Sequence, residues 1–110
     1  MYSYLIDPVA QLELEEAGNI YIRYFAGLGD IRRGEELADA FFDSYIDKIQ
    51  QLKQMPYMHA LCNVYPFDES NGHGYRSFRL GWFTVFYTVE NSSFTVWHVR
   101  SSKSDFTSLA

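Results

Sequence analysis

The chain is 110 residues long and carries 14 Asp and Glu against 9 Lys and Arg, a formal charge of −5 with its three His neutral. That length admits one domain with one packed core and excludes a large multilayer enzyme. The acidic balance excludes coating of nucleic acid by bulk charge, which needs a basic surface to release counterions.

Nine Phe, nine Tyr and two Trp are more rings than a single-layer core encloses, so some are expected to face a partner. One cysteine, Cys62, allows no internal disulfide, and no Cys/His spacing suits a structural zinc site; neither metal nor cofactor is expected. The N-terminus has no basic segment followed by an apolar run, and no stretch approaches the ~18 apolar residues of a membrane span. The expectation is a soluble cytoplasmic protein, one domain over residues 1–110.

In chain order, Tyr2 to Ile6 have the β-branched and aromatic content of a short strand. Asp7-Pro8 then starts a helix, the carboxylate capping free N–H groups and proline losing no hydrogen bond at the first helical position. Val9, Leu12, Ala17, Ile20, Tyr21, Tyr24 and Leu28 recur at three- and four-residue steps and predict its buried stripe. Gly18 within it marks a close helix contact, and Gly27 and Gly29 end it. Asp30 caps a second helix with a stripe of Leu37, Ala38, Phe41, Phe42, Tyr45, Ile46, Ile49 and Leu52, stopped by Pro56. The short link predicts an antiparallel hairpin over residues 8–54.

Residues 56–74 read as an extended connection and a turn. Beyond Gly74 the period changes from 3.6 to 2: YRSFRL, WFTVFYTV and FTVWHVR, separated by Gly81 and by ENSS, predict a three-stranded antiparallel meander over 75–100. Its middle strand is apolar at nearly every position, as for a strand covered on both faces. The fold class is therefore α+β: an N-terminal strand, a helical hairpin and a meander, with the helices on one sheet face.

Charge divides along this order. Residues 1–70 hold 12 acids and 5 bases, net −7, whereas 71–110 hold Glu90 and Asp105 against Arg76, Arg79, Arg100 and Lys103, net +2. Alternation puts Arg76 and Arg79 on opposite faces of their strand and His98 with Arg100 on one face of theirs. The sheet face away from the helices is the expected place for a small basic and aromatic site.

Asp7-Pro8 with Ala10, LKQMP at 52–56, GYR at 74–76, LGWFTVFYTV at 80–89 and VWHV followed by Asp105 resemble the RelE/ParE superfamily of bacterial type II toxins. The short segment after the last strand makes the resemblance ParE-like in build. It implies a cognate antitoxin as partner, a homodimer or toxin–antitoxin hetero-oligomer, and one of two targets. RelE-like members cut mRNA on the ribosome; ParE-like members poison DNA gyrase without acting as ribonucleases. A degenerate, non-toxic binding module of the same fold is the third reading.

RNA cleavage needs a base, an acid and cations around one phosphate. The catalytic candidates for it are Arg76, Arg79, Tyr87, His98 and Arg100; the target-binding candidates are Arg79, Trp82, Arg100 and Lys103. Two departures bear on the choice. The strand after Tyr75-Arg76 has no lysine, and Phe83 stands where the RelE-like pattern has a base. Ser101-Ser102-Lys103-Ser104-Asp105 replaces the His-Gly-Arg-Arg-Asp of ParE-like proteins.

Structural roles compete with each of these. Arg76 is equally suited to an ion pair with Glu36 or Asp43, Tyr87 to the core and His98 to a hydrogen-bonded place in the sheet. His59 and His73 lack ligand spacing, and Cys62 reads as a small apolar contact. Glu13, Glu15, Glu16, Glu35 and Glu36 read as solvated helix faces.

Overall fold

The computed structural model describes residues 1–62 and 74–101. In order they form β1 (Ser3–Ile6), α1 (Pro8–Gly27), α2 (Ile31–Gln54), β2 (Leu61–Cys62), β3 (Tyr75–Leu80), β4 (Phe83–Glu90) and β5 (Ser93–Ser101). Both helix starts are capped as their sequences require. Asp7 accepts the Val9 N–H at 2.9 Å with Pro8 at the head of α1, and Asp30 accepts the Arg33 N–H at 3.3 Å. At the end of α1 the chain reverses through Gly29, whose φ of +80° suits glycine.

The sheet has five strands, in the order β1-β5-β4-β3-β2. The meander β3-β4-β5 is antiparallel as expected. β1 lies parallel to β5, in register Ser3 with Ser93, and β2 adds a two-residue pairing on the far side of β3. Neither placement followed from local pattern, since both depend on pairing partners distant in sequence. Turns at Gly81, with φ +60°, and Asn91, with φ +53°, join the three long strands. Positive φ at the first turn position matches the twist of a tight hairpin.

Both helices pack on one sheet face. The core joins Leu14 and Tyr21 of α1, Phe41, Tyr45, Ile49 and Leu52 of α2, and Phe78, Phe83, Val85, Tyr87, Val89, Phe94, Val96 and Val99 of the sheet. In β4 Val85, Phe86 and Tyr87 are consecutively buried, as expected for a strand covered on both faces. Gly18 sits where a Cβ would come 2.6 Å from the Phe42 ring, so the two helices approach closely there.

The α1 stripe differs from the sequence expectation. Ala10, Leu14, Ala17, Gly18 and Tyr21 are buried, whereas Val9 is 53% exposed, Leu12 66%, Tyr24 52% and Leu28 65%. The helix carries two apolar faces roughly 100° apart, one residue step at 3.6 residues per turn. Small residues, Ala10 and Ala17, mark the one that packs. The larger Val9 and Leu12 stay outside.

Candidate functional site

The β3-β4-β5 register decides which candidate side chains can meet, because residues paired across antiparallel strands project to the same face. Arg79 pairs with Thr84 and Thr84 with Arg100, giving one row across three strands. Ser77, Phe86 and His98 form the next row. Phe78, Val85 and Val99 are core residues, so these two rows lie on the face away from the helices. Arg76 pairs with Tyr87, a core residue, and thus belongs to the helix side.

A β-bulge makes this arrangement. Tyr87 pairs with Val96 but Phe86 pairs with His98, so Trp97 is an extra residue in β5. Phe94 and Val96 face the core; strict alternation would send His98 inward too. The bulge reverses the phase, turning Val99 inward and His98 and Arg100 outward. The Trp97 indole donates to Thr88 Oγ1 at 2.8 Å and holds the bulged residue against β4.

On the outer face Arg79 is exposed, its Nε donating to the Gly81 carbonyl at 3.2 Å. Arg100 Nη2 lies 3.1 Å from His98 Nδ1. A guanidinium can only donate, so in this contact the imidazole accepts at Nδ1 and its proton resides on Nε2, which is buried. Arg100 Nε is 3.2 Å from Glu13 Oε2, while Glu13 Oε1 accepts the Val99 N–H at 2.9 Å. Glu13 therefore does not belong to a solvated helix face: it bridges α1 to β5.

On the helix side, Arg76 Nη1 donates to the His59 carbonyl at 2.6 Å and its guanidinium lies 4.9 Å from the centroid of the Tyr57 ring. This replaces the expected ion pair; among the described residues Arg76 meets neither Glu36 nor Asp43. The Tyr87 hydroxyl donates to the Pro56 carbonyl at 2.8 Å. Burial pushes its phenol up to about 12, against the pull of the Arg76 charge and the His59 backbone. His59 packs 5.2 Å from Phe78, and burial followed by the Lys48 charge lowers its pKa. Arg76 and Tyr87 thus fasten the segment after α2 to the sheet.

Trp82 occupies the β3-β4 turn. Its ring stacks on Tyr21 at 4.5 Å, with Tyr24 at 5.3 Å and Phe25 at 6.2 Å, and the Trp82 backbone N–H donates to the Tyr21 hydroxyl at 3.0 Å. It stands at the same end of the sheet as the Arg79–Thr84–Arg100 row. Of the target-binding set the structure gathers Arg79, Arg100 and Trp82 at that end, and Lys103 lies outside the described residues, as does His73. Cys62 is described only as a backbone member of β2; the reading of its thiol falls outside the described residues.

The five catalytic candidates divide: Arg79, His98 and Arg100 stand on one face, Arg76 and Tyr87 on the other. The two exposed guanidinium groups, Arg79 and Arg100, can grip an anionic or polar surface, whereas the His98 ring is buried and steadies Arg100 from within. They do not assemble an acid, a base and a cation cluster around one phosphate. Among the described residues, no three His, Cys, Asp or Glu side chains are placed to share a metal ion, and no helix is long and apolar enough to cross a membrane. Glu13 is the site residue that sequence reasoning missed. Its position four residues after Val9 puts it on the exposed apolar face of α1, but its contact with Val99 and Arg100 depends on the open edge of β5, which local pattern does not show.

Comparison of the structure with solved structures finds a chain of a chromosomal ParDE TA system from P. aeruginosa. This chain shares its fold. The TM-score is 0.64 over 92% of this chain and 96% of that one, at 16% sequence identity. No protein-family model and no curated protein matches the sequence. The likeness therefore covers most of the chain as architecture, while the side chains that decorate it are largely this chain's own.

Proposed function

We propose that this chain is the toxin component of a type II toxin–antitoxin system, ParE-like in build, held inactive by a cognate antitoxin and acting on an essential target, DNA gyrase in the first instance. The observation that supports it most is the near end-to-end match in fold to a chain of a ParDE system. The division of the cationic residues supports the ParE-like choice over a ribonuclease. Arg76 and Tyr87 are engaged by the Pro56–His59 segment, which leaves the outer face able to bind but short of acid–base partners.

In this reading the outer face engages the target together with the adjoining β3-β4 turn, whose Trp82 ring packs on α1. Arg79 and Arg100 supply charge-assisted hydrogen bonds, and Trp82, backed by three aromatic rings, supplies a rigid apolar anchor of the kind that dominates protein interfaces. The acidic helices then present a surface for an antitoxin of complementary charge.

The test is a supercoiling assay with purified gyrase and the purified chain, run beside a translation reaction in which transcript length is followed. The reading expects supercoiling to fail while transcripts stay intact, and Arg79→Ala with Arg100→Ala to restore supercoiling. Shortened transcripts with normal supercoiling would replace it by an mRNA endonuclease of RelE type. Neither effect would leave a non-toxic binding module.

A further inference from the structure

β5 is nine residues long, yet β1 covers it only from Ser93 to Val96. Beyond the bulge no strand lies beside this edge among the described residues, and the Val99 N–H points to α1 instead. There the Glu13 carboxylate receives it on Oε1 at 2.9 Å and takes Arg100 Nε on Oε2 at 3.2 Å. His98 Nδ1, 3.1 Å from Arg100 Nη2 and 3.6 Å from Glu13 Oε1, holds the guanidinium in place. One oxygen on a main-chain N–H and the other on a guanidinium is how a protein recognises a carboxylate. Here the carboxylate is the chain's own.

The cradle opens on a groove of about 460 Å³ whose walls include Val9, Leu12, Ile20 and Val99. Val9 and Leu12 are more than half exposed although nothing in the helix requires apolar residues there. An oxyanion cradle beside an exposed apolar strip is a bipartite surface, one part filled from within and the other uncovered.

We propose that Glu13 is an internal stand-in for a partner's carboxylate. A partner protein binds by placing an aspartate or glutamate on Val99 N–H and Arg100 while its neighbouring apolar side chains cover Val9, Leu12 and Ile20; Glu13 swings to solvent. The exchange replaces one carboxylate by another, so the polar contacts are matched like for like and the net gain comes from the covered apolar strip. Charge selects a protein rather than a nucleic acid. The groove also carries Glu16, which a single carboxylate entering beside Arg100 can avoid and a run of phosphates cannot.

The cradle is a property of this chain alone and does not depend on its being a toxin. It is tested with the purified chain and acetate as the probe, following the Val99 amide resonance by NMR. In Glu13→Ala, acetate should bind saturably and return the Val99 signal toward its wild-type position. The wild type should bind acetate about tenfold or more weakly, because acetate must displace a tethered carboxylate whose effective concentration exceeds the dissociation constant of free acetate by about that factor. Adding Arg100→Ala should abolish saturation.

Equal response in Glu13→Ala and wild type, or none in either, would overturn the proposal. So would a Val99 signal that answers to inorganic phosphate or a short oligouridine but not to acetate. If Glu13→Ala does not fold, Glu13→Gln keeps the volume and one oxygen for Val99. Acetate must still bind it more tightly than the wild type, and failure to do so is equally decisive.

Discussion

Arg79 on β3 and Arg100 on β5 both pair with Thr84, so two guanidinium side chains rise from one row on the face of the sheet turned away from the helices. Arg76, three residues before Arg79, is on the other face and bound to the His59 carbonyl. The two classes of arginine should separate in a mutant series.

Arg79→Ala is expected to leave stability within about 0.5 kcal/mol, as for an exposed side chain, while weakening target binding. Arg76→Ala removes a hydrogen bond from a charged donor and a cation–π contact, together roughly 2 kcal/mol, and lowers Tm by on the order of 10 °C. Arg76→Lys recovers only part of the loss, because an ammonium cannot reproduce a planar guanidinium over Tyr57. Thermal denaturation of the three variants checks this. Equal losses for Arg76→Ala and Arg79→Ala would contradict it.

Gly81 is a second pressure point. Its φ is +60°, and a Cβ there would run into the Tyr21 hydroxyl that accepts the Trp82 N–H. Gly81→Ala should cost about 2 kcal/mol, from backbone strain and displacement of Tyr21. Tyr21→Phe should cost about 1 kcal/mol, one hydrogen bond. Trp82 fluorescence should shift in both, since Tyr21 stacks on its ring. Denaturant titration followed at the tryptophan emission measures the cost and the shift together.

The tyrosines give an alkaline signature. Burial pushes the Tyr87 phenol up to about 12 in the folded chain and raises Tyr45 and Tyr4, which share a 2.8 Å hydroxyl contact. A phenol raised on folding lends stability in full below its unfolded value near 10 and loses it as pH rises through the folded value. Stability should therefore fall between about pH 10 and 12, and Tyr87→Phe should flatten that fall. On the acid side, the lowered pKa of His59 favours its neutral form in the fold, so its contribution holds above its unfolded value and is lost as pH drops. Urea midpoints across pH, for the wild type and Tyr87→Phe, test both signs.

Much of the fold was legible because the residues that set it act locally. Asp7 and Asp30 cap where capping residues must, Gly18 meets Phe42 where a small residue fits, and β3, β4 and β5 pair as an antiparallel meander. The parallel docking of β1 on β5 and the short β2 were not legible, since each depends on a partner far along the chain. The α1 stripe was misjudged because the helix has two apolar faces and periodicity does not say which one packs.

The site was half legible. His98 and Arg100 do share a face, but a bulge at Trp97 puts them outward. Arg76 was rightly placed opposite Arg79, yet its partner is a backbone carbonyl that no charge pattern announces. Glu13 was hidden because its role depends on a strand edge left open by the shortness of β1, a tertiary fact invisible in a helix sequence rich in glutamate.

The toxin reading meets its sharpest check in one growth measurement. The chain is induced in bacteria alone, together with the small open reading frame next to its own, and as the Arg79→Ala, Arg100→Ala double variant at equal protein level. The prediction is growth arrest for the chain alone, with growth restored both by the neighbouring protein and by the double substitution. Unimpaired growth of cells making folded wild-type chain alone would contradict it.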